Sequence, residues 1–176
     1  RAYVSIAMPL SVGASSRCEI LDFEVEDGFV DLRTLPQKLN RTLPAGVRVL
    51  RAYESDRKIK HLKYLRAAVR LEYDGGVPDG AQAAIAALFS EEHVLVHKRT
   101  KRGETDLDIR PLIEALELCR VSAQELELRC TVTALDPALN PQLLVTAIET
   151  HLPQYAPDFS TVHREEVLDA DGNVFR

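Results

Sequence analysis

The stretch Glu125–Ala134, ELELRCTVTA, decides the fold. Leu126, Leu128, Cys130, Val132 and Ala134 alternate with Glu125, Glu127, Arg129, Thr131 and Thr133. A period of two is converted into one apolar and one polar face only by an extended strand. One buried face is the habit of antiparallel sheets, since strands of doubly wound parallel sheets are covered on both sides and read as continuous apolar runs. Outward along the chain, Leu65, Ala67, Val69, Leu71 and Tyr73 repeat the pattern against Arg66, Arg70 and Glu72. A last strand is expected over Thr161–Leu168, ending at the turn-forming Asp171–Gly172.

Helices are expected between these strands. Asn140–Pro141 reads as an N-cap followed by a first-turn proline, with Leu143, Leu144, Ala147 and Ile148 forming the apolar face. An alanine-rich helix is expected from about Pro78 to Phe89, with Ala81, Ile85 and Leu88 on one side. His93–Thr100 and Glu104–Ile109 read as a hairpin around Gly103, and Pro111 as the opening of a short helix reaching about Leu118. Nearer the start, Ala2–Leu10 and Arg17–Glu26 read as strands joined by the turn-rich SVGASS. Leu32, Leu35, Leu39 and Leu43 then recur at helical spacing, with Pro36 tolerated only if the helix starts near Thr34 and Pro44 and Gly46 ending it. Val47–Glu54 returns to a strand pattern.

This order mixes hairpins with helical crossovers, so the expected class is α+β with mostly antiparallel sheets. Its arrangement is two ferredoxin-like units: a partial one over residues 1–56, lacking its opening strand and helix, and a second over residues 57–176 with an extra helix. The two are also compatible with one continuous domain. The chain starts at Arg1 inside an alternating segment, without a Met, so further sequence is expected upstream.

Composition narrows the function classes. With 45% hydrophobic and 28% charged residues, the 176-residue chain has the make-up of a globular protein. No apolar run approaches the roughly 18 residues needed to cross a bilayer, and the start lacks the pattern of a secretory signal. Cys18, Cys119 and Cys130 form no CxxC or CxxxCxxC spacing, so no zinc ribbon or iron–sulfur cluster is encoded locally, no cofactor or metal is expected, and a reducing cytoplasm is the default. Cys130 belongs to the apolar stripe. No phosphate-binding glycine loop or Ser-His-Asp signature is present.

A net charge of −5 argues against a uniformly basic nucleic-acid binder, but the cations are unevenly spread. Arg57–Arg66 (RKIKHLKYLR) and Lys98–Arg102 (KRTKR) hold nine of the chain's 22 Lys and Arg. Arg57, Lys58, Lys60, Lys63, Lys98, Arg99, Lys101 and Arg102 are therefore the candidate anion- or RNA-binding residues, since clustered cations neutralise phosphates and gain from counterion release. The competing reading is a solvated hairpin tip whose lysines blunt an edge strand. Asp106 and Asp108 share one side of a strand with Glu104 and are weak candidates for acid–base work; cross-strand ion pairing with Arg99, Lys101 and Arg102 is the simpler reading. His93 and His97 are four apart, but on a strand that separates them by about 13–14 Å, too far for one metal.

Three segments together resemble a known family: Pro9–Val25 (PLSVGASSRCEILDFEV), Leu39–Ala52 (LNRTLPAGVRVLRA) and Lys98–Leu118 (KRTKRGETDLDIRPLIEALEL). They are similar to the bacterial radical SAM-linked proteins, a domain of unknown function fused to, or encoded beside, a radical SAM enzyme. The resemblance covers Arg1–Leu118 and implies a cytoplasmic accessory role, a radical SAM partner and a connection to RNA. Lacking the three-cysteine motif, the chain is not itself the radical SAM catalyst. The expected function is thus a non-catalytic accessory domain binding RNA or another anion through a basic hairpin. The alternatives are a protein-docking module without nucleic-acid contact and a small-molecule or RNA-modifying enzyme using Asp106 or Asp108.

Overall fold

The computed structural model describes residues 3–25, 30–100 and 103–175. Its twelve regular strands and helices are β1 (Val4–Ile6), β2 (Ala14–Ser16), β3 (Leu21–Phe23), α1 (Leu35–Asn40), β4 (Tyr64–Glu72), α2 (Ala81–Leu88), β5 (Leu95–Thr100), β6 (Gly103–Asp108), β7 (Ile113–Arg120), β8 (Glu125–Thr133), α3 (Gln142–His151) and β9 (Phe159–Leu168). The class is α+β, and its sheets are mostly antiparallel.

The principal sheet has the order β2-β9-β4-β8-β7. Setting aside β2 and the β5–β6 pair, the chain runs β4-α2-β7-β8-α3-β9, a complete βαββαβ ferredoxin-like unit with its first strand between the fourth and the third. The alternation of β8 is realised as expected: Leu126, Leu128, Cys130, Val132 and, just beyond the strand, Ala134 are all buried, on the same sheet face as their β4 neighbours Leu65, Val69 and Leu71. Ala81 and Ile85 of α2 and Leu144, Val145, Ala147 and Ile148 of α3 complete this core. Full burial of each Leu or Ile side chain contributes about 1.5–3 kcal/mol, so these few positions dominate the stability of the unit. Just ahead of α3 the Asn140 side-chain oxygen accepts the Gln142 N–H (3.2 Å), but the N-cap position is Pro141, one residue later than the Asn-Pro pair predicts, and it makes no side-chain cap bond.

Two expectations are corrected. The segment from Pro111 to Leu118 is not a helix: after a 3-10 turn over Arg110–Leu112 it is the edge strand β7. Leu, Glu and Ala favour a helix locally, but nine-residue β8 offers a row of unpaired backbone groups that the segment satisfies. A register break between Ile113 and Ala115 shifts the alternation midway and hides its period. The extra element of the unit is therefore the β5–β6 hairpin, a separate two-stranded sheet inserted between α2 and β7. Val47–Glu54, expected as a strand, forms no ladder among the described residues. Instead the Asn40 amide donates to the Val49 carbonyl (2.9 Å) and the Asn40 side-chain oxygen accepts the Val49 N–H (2.7 Å), using the backbone groups a ladder would need.

The N-terminal part keeps the order strand, strand, helix, with β1 antiparallel to β3 and α1 starting after Thr34. The turn-like SVGASS contains a short strand, β2, that adds parallel to β9. Arg164, buried on β9, holds this part in place: its guanidinium donates to the carbonyls of Met8 (2.9 Å) and Pro9 (3.2 Å) and to Glu19 (3.2 Å). Large apolar side chains remain exposed there, among them Val4, Ile6, Leu21 and Phe23 on β1 and β3. Among the described residues no helix is long and apolar enough to cross a membrane.

Candidate anion-binding surface

A cation is useful to an external anion only where no protein carboxylate has already claimed it. The face of the principal sheet away from the helices fails that condition. Arg66 pairs with Glu166, Arg70 with Glu125 (3.2 Å) and Glu127 (3.4 Å), and Arg129 with Glu127 (2.8 Å). Glu127 is itself buried beneath the two arginines. This face is charged but locally neutral.

Of the basic segment 57–66, Arg57 is also committed: it bonds Asp169 (2.7 Å) and stacks over Phe175, 4.8 Å from the ring centroid. Asp169, held below its usual range chiefly by that arginine, also accepts the N–H groups of Asp171 and Asn173, so the cluster fastens the C-terminal turn. Lys58, Lys60 and Lys63 are exposed, and among the described residues none makes an ion pair. Lys63 sits at the end of the sheet where β7 begins: its backbone bonds Leu168 and Ala134, Leu65 lies opposite Val132, and Val132 opposite Ile113. The hairpin enters β7 through the short Arg110–Leu112 turn at that same end.

In the hairpin, Lys98 lies opposite Thr105 and Arg99 opposite Glu104 in the backbone register. Lys101 and Arg102 lie outside the described residues. The side chains of Lys98 and Arg99 also lie outside the described residues, and with them the expected pairing of the two aspartates with Arg99, Lys101 and Arg102; among the described residues each aspartate has a histidine partner. His97 Nδ1–H donates to Asp106 (3.0 Å) directly across the ladder, and His93 Nδ1–H donates to Asp108 (2.7 Å) at the hairpin root. Asp108 further accepts the N–H groups of Val94 (3.0 Å) and Arg110 (3.1 Å), and these bonds, His93 first, hold its carboxyl below the usual range. That geometry is an anchor for the turn entering β7. Asp106 stands on open surface, its side chain 68% exposed. His151, at the end of α3, donates from Nε2 to the Leu95 carbonyl (2.7 Å) and ties the helix to the hairpin. His61 is exposed, and His163 bonds the Ser15 hydroxyl (2.8 Å). Among the described residues no group of three or more His, Cys, Asp or Glu side chains is placed to hold a metal ion.

One basic region escaped the sequence reading. Between Leu32 and Tyr53 the chain has five cations, Arg33, Lys38, Arg41, Arg48 and Arg51, and no acid. They are too dispersed to register as a run, but α1 and the segment Pro44–Leu50 fold against each other around an open groove of ≈ 920 Å³ lined by Arg33, Arg41 and Arg48. The absence of Asp and Glu over 22 residues was the signal available in the sequence.

A family model described as "Uncharacterized protein conserved in bacteria (DUF2344)" matches residues 1–144. A search of curated proteins found no match.

Proposed function

The chain belongs to the bacterial family DUF2344, and on that premise we propose that it is a non-catalytic accessory domain that binds RNA and serves a cytoplasmic radical SAM enzyme. The observation that carries the RNA reading is the contrast among its cations. Arginines of the sheet face are neutralised by glutamates, whereas Lys58, Lys60 and Lys63 stand exposed and, among the described residues, without an ion pair, near the sheet end from which the hairpin departs. The hairpin adds Lys98, Arg99, Lys101 and Arg102, whose clustering in the sequence supports them as further cations offered to phosphate. Asp108 serves three hydrogen bonds and Asp106 lies in the open, an arrangement that favours structural over catalytic roles for both. The radical SAM partner rests on the resemblance of Pro9–Val25, Leu39–Ala52 and Lys98–Leu118.

The test is binding of tRNA and ribosomal RNA fragments across a salt series. Joint replacement of Lys98, Arg99, Lys101 and Arg102 by Ala is expected to weaken binding and flatten its salt dependence. Unchanged affinity overturns the hairpin's role. A second reading, docking to a protein without RNA, is favoured by the exposed Val4, Ile6, Leu21 and Phe23. Under that reading Ile6→Asp abolishes co-purification with the radical SAM enzyme, and the hairpin replacement does not.

A further inference from the structure

We infer that the groove between α1 and Pro44–Leu50 is an anion-binding site of its own, taking the phosphodiester backbone of a single-stranded nucleic acid. It shares a ligand class with the function proposed above but none of its residues.

Three observations carry the inference. First, Arg33, Arg41 and Arg48 line one concavity and are exposed, and among the described residues neither they nor Lys38 make an ion pair or a side-chain hydrogen bond. Elsewhere among the described residues arginines are engaged: Arg57, Arg66, Arg70, Arg129 and Arg164 contact carboxylates, while Arg17, Arg110 and Arg120 donate to backbone carbonyls. Like charges gathered without counter-charges repel one another, and an incoming anion relieves that repulsion. Second, the groove has a fixed wall. The paired bonds between Asn40 and the Val49 backbone lock the Pro44–Leu50 segment onto the end of α1, so the guanidinium groups are carried on an ordered frame. Third, Arg51, just beyond the groove, stacks on Tyr53 at 5.3 Å from the ring centroid, and Tyr53 is 41% exposed. A basic track with an exposed aromatic beside it is the combination that binds single strands, phosphates on the cations and a base on the ring. Duplexes keep their bases stacked inside and gain nothing from such a ring.

The experiment uses a fluorescently labelled 12-nucleotide oligouridine and anisotropy at several salt concentrations. Two variants of the chain are compared with the parent, Arg33→Ala/Arg41→Ala/Arg48→Ala and Lys98→Ala/Arg99→Ala/Lys101→Ala/Arg102→Ala. The side chains of the three groove arginines make no hydrogen bond or ion pair among the described residues, and alanine keeps their backbone bonds, so the first variant should keep the parent's melting temperature. Its affinity at low salt is expected to fall about tenfold or more, and the slope of log affinity against log salt by about 2, at roughly 0.7 per lost single-strand phosphate contact. Tyr53→Ala should weaken the oligonucleotide without changing that slope. A groove variant that binds like the parent while the hairpin variant weakens overturns this site and leaves the hairpin reading intact. Weakening in the groove variant alone supports this site and removes the hairpin. No binding by the parent, or binding of polyglutamate in place of the oligonucleotide, overturns the inference.

Discussion

Arg164→Met tests how the N-terminal part is held. The parent guanidinium, 9% exposed, makes three charge-assisted bonds, to Met8, Pro9 and Glu19. After substitution the Pro9 carbonyl and Glu19 carboxylate, both on exposed residues, regain water, and their loss is discounted. The Met8 carbonyl, on a residue only 9% exposed, does not, and an unsatisfied buried acceptor costs about 1–3 kcal/mol. Removing a buried charge and gaining an apolar side chain offsets part of this, while loosening of β2 on β9 adds to it. A net loss of about 2 kcal/mol corresponds to a fall in melting temperature of roughly 4–8 °C for a chain of this size. Calorimetry measures the fall, and hydrogen exchange locates it: the N–H of Arg17, bonded to the Arg164 carbonyl, and that of Ala7, bonded to Ile20, should lose protection before the amides of β4 and β8. Parent-like melting together with unchanged protection at Arg17 would refute the assignment of Arg164 as the tie.

Two further outcomes follow from ionisable groups in the fold. Asp108 has a folded pKa below its unfolded value, so the stability it contributes is fully present above the ordinary carboxylate range and is lost as pH falls through the lowered value. A carboxyl-carbon NMR titration of the parent should therefore show Asp108 protonating at lower pH than a free aspartate, and His93→Ala should move its midpoint upward. Burial pushes the Cys130 thiol up to about 12, and the side chain is 2% exposed. Iodoacetamide at mildly alkaline pH should leave Cys130 unmodified in the folded protein and label it on unfolding, as peptide mapping will report; rapid native labelling contradicts its place in the core.

The elements that were legible in the sequence share a property: one face is buried and nothing interrupts the period. β8, β4 and α3 read directly because Leu126–Ala134, Leu65–Tyr73 and Leu143–Ile148 keep strict spacing against a single core. β7 did not, because the break beside Glu114 puts Ile113 and Leu116 on the same face at a spacing of three, and local helix preference then outweighed a pairing visible only with β8 in place. β2 is three small residues whose strand character comes entirely from β9. For the candidate site, sequence gave charge density but not charge balance. It could not see that Arg57 pairs with Asp169 or that Asp108 and Asp106 bond His93 and His97, because each of those pairs is fixed by tertiary placement or hairpin register. Nor could it see that Arg33, Arg41 and Arg48, spread over 16 residues, face one groove.

The root of the β5–β6 hairpin is closed by the Ile109 N–H donating to the Val94 carbonyl (2.9 Å), with Val96 and Ile109 sealed in the core beneath it. Length beyond that closure is thereby uncoupled from the principal sheet. Inserting or deleting matched residues between Leu95–Thr100 and Gly103–Asp108 changes the reach of the hairpin by about 3.4 Å for each cross-strand pair and leaves the register of β7 on β8 untouched. The arm is thus a length-adjustable spacer, able to be fitted to partners at different distances from the same rigid body.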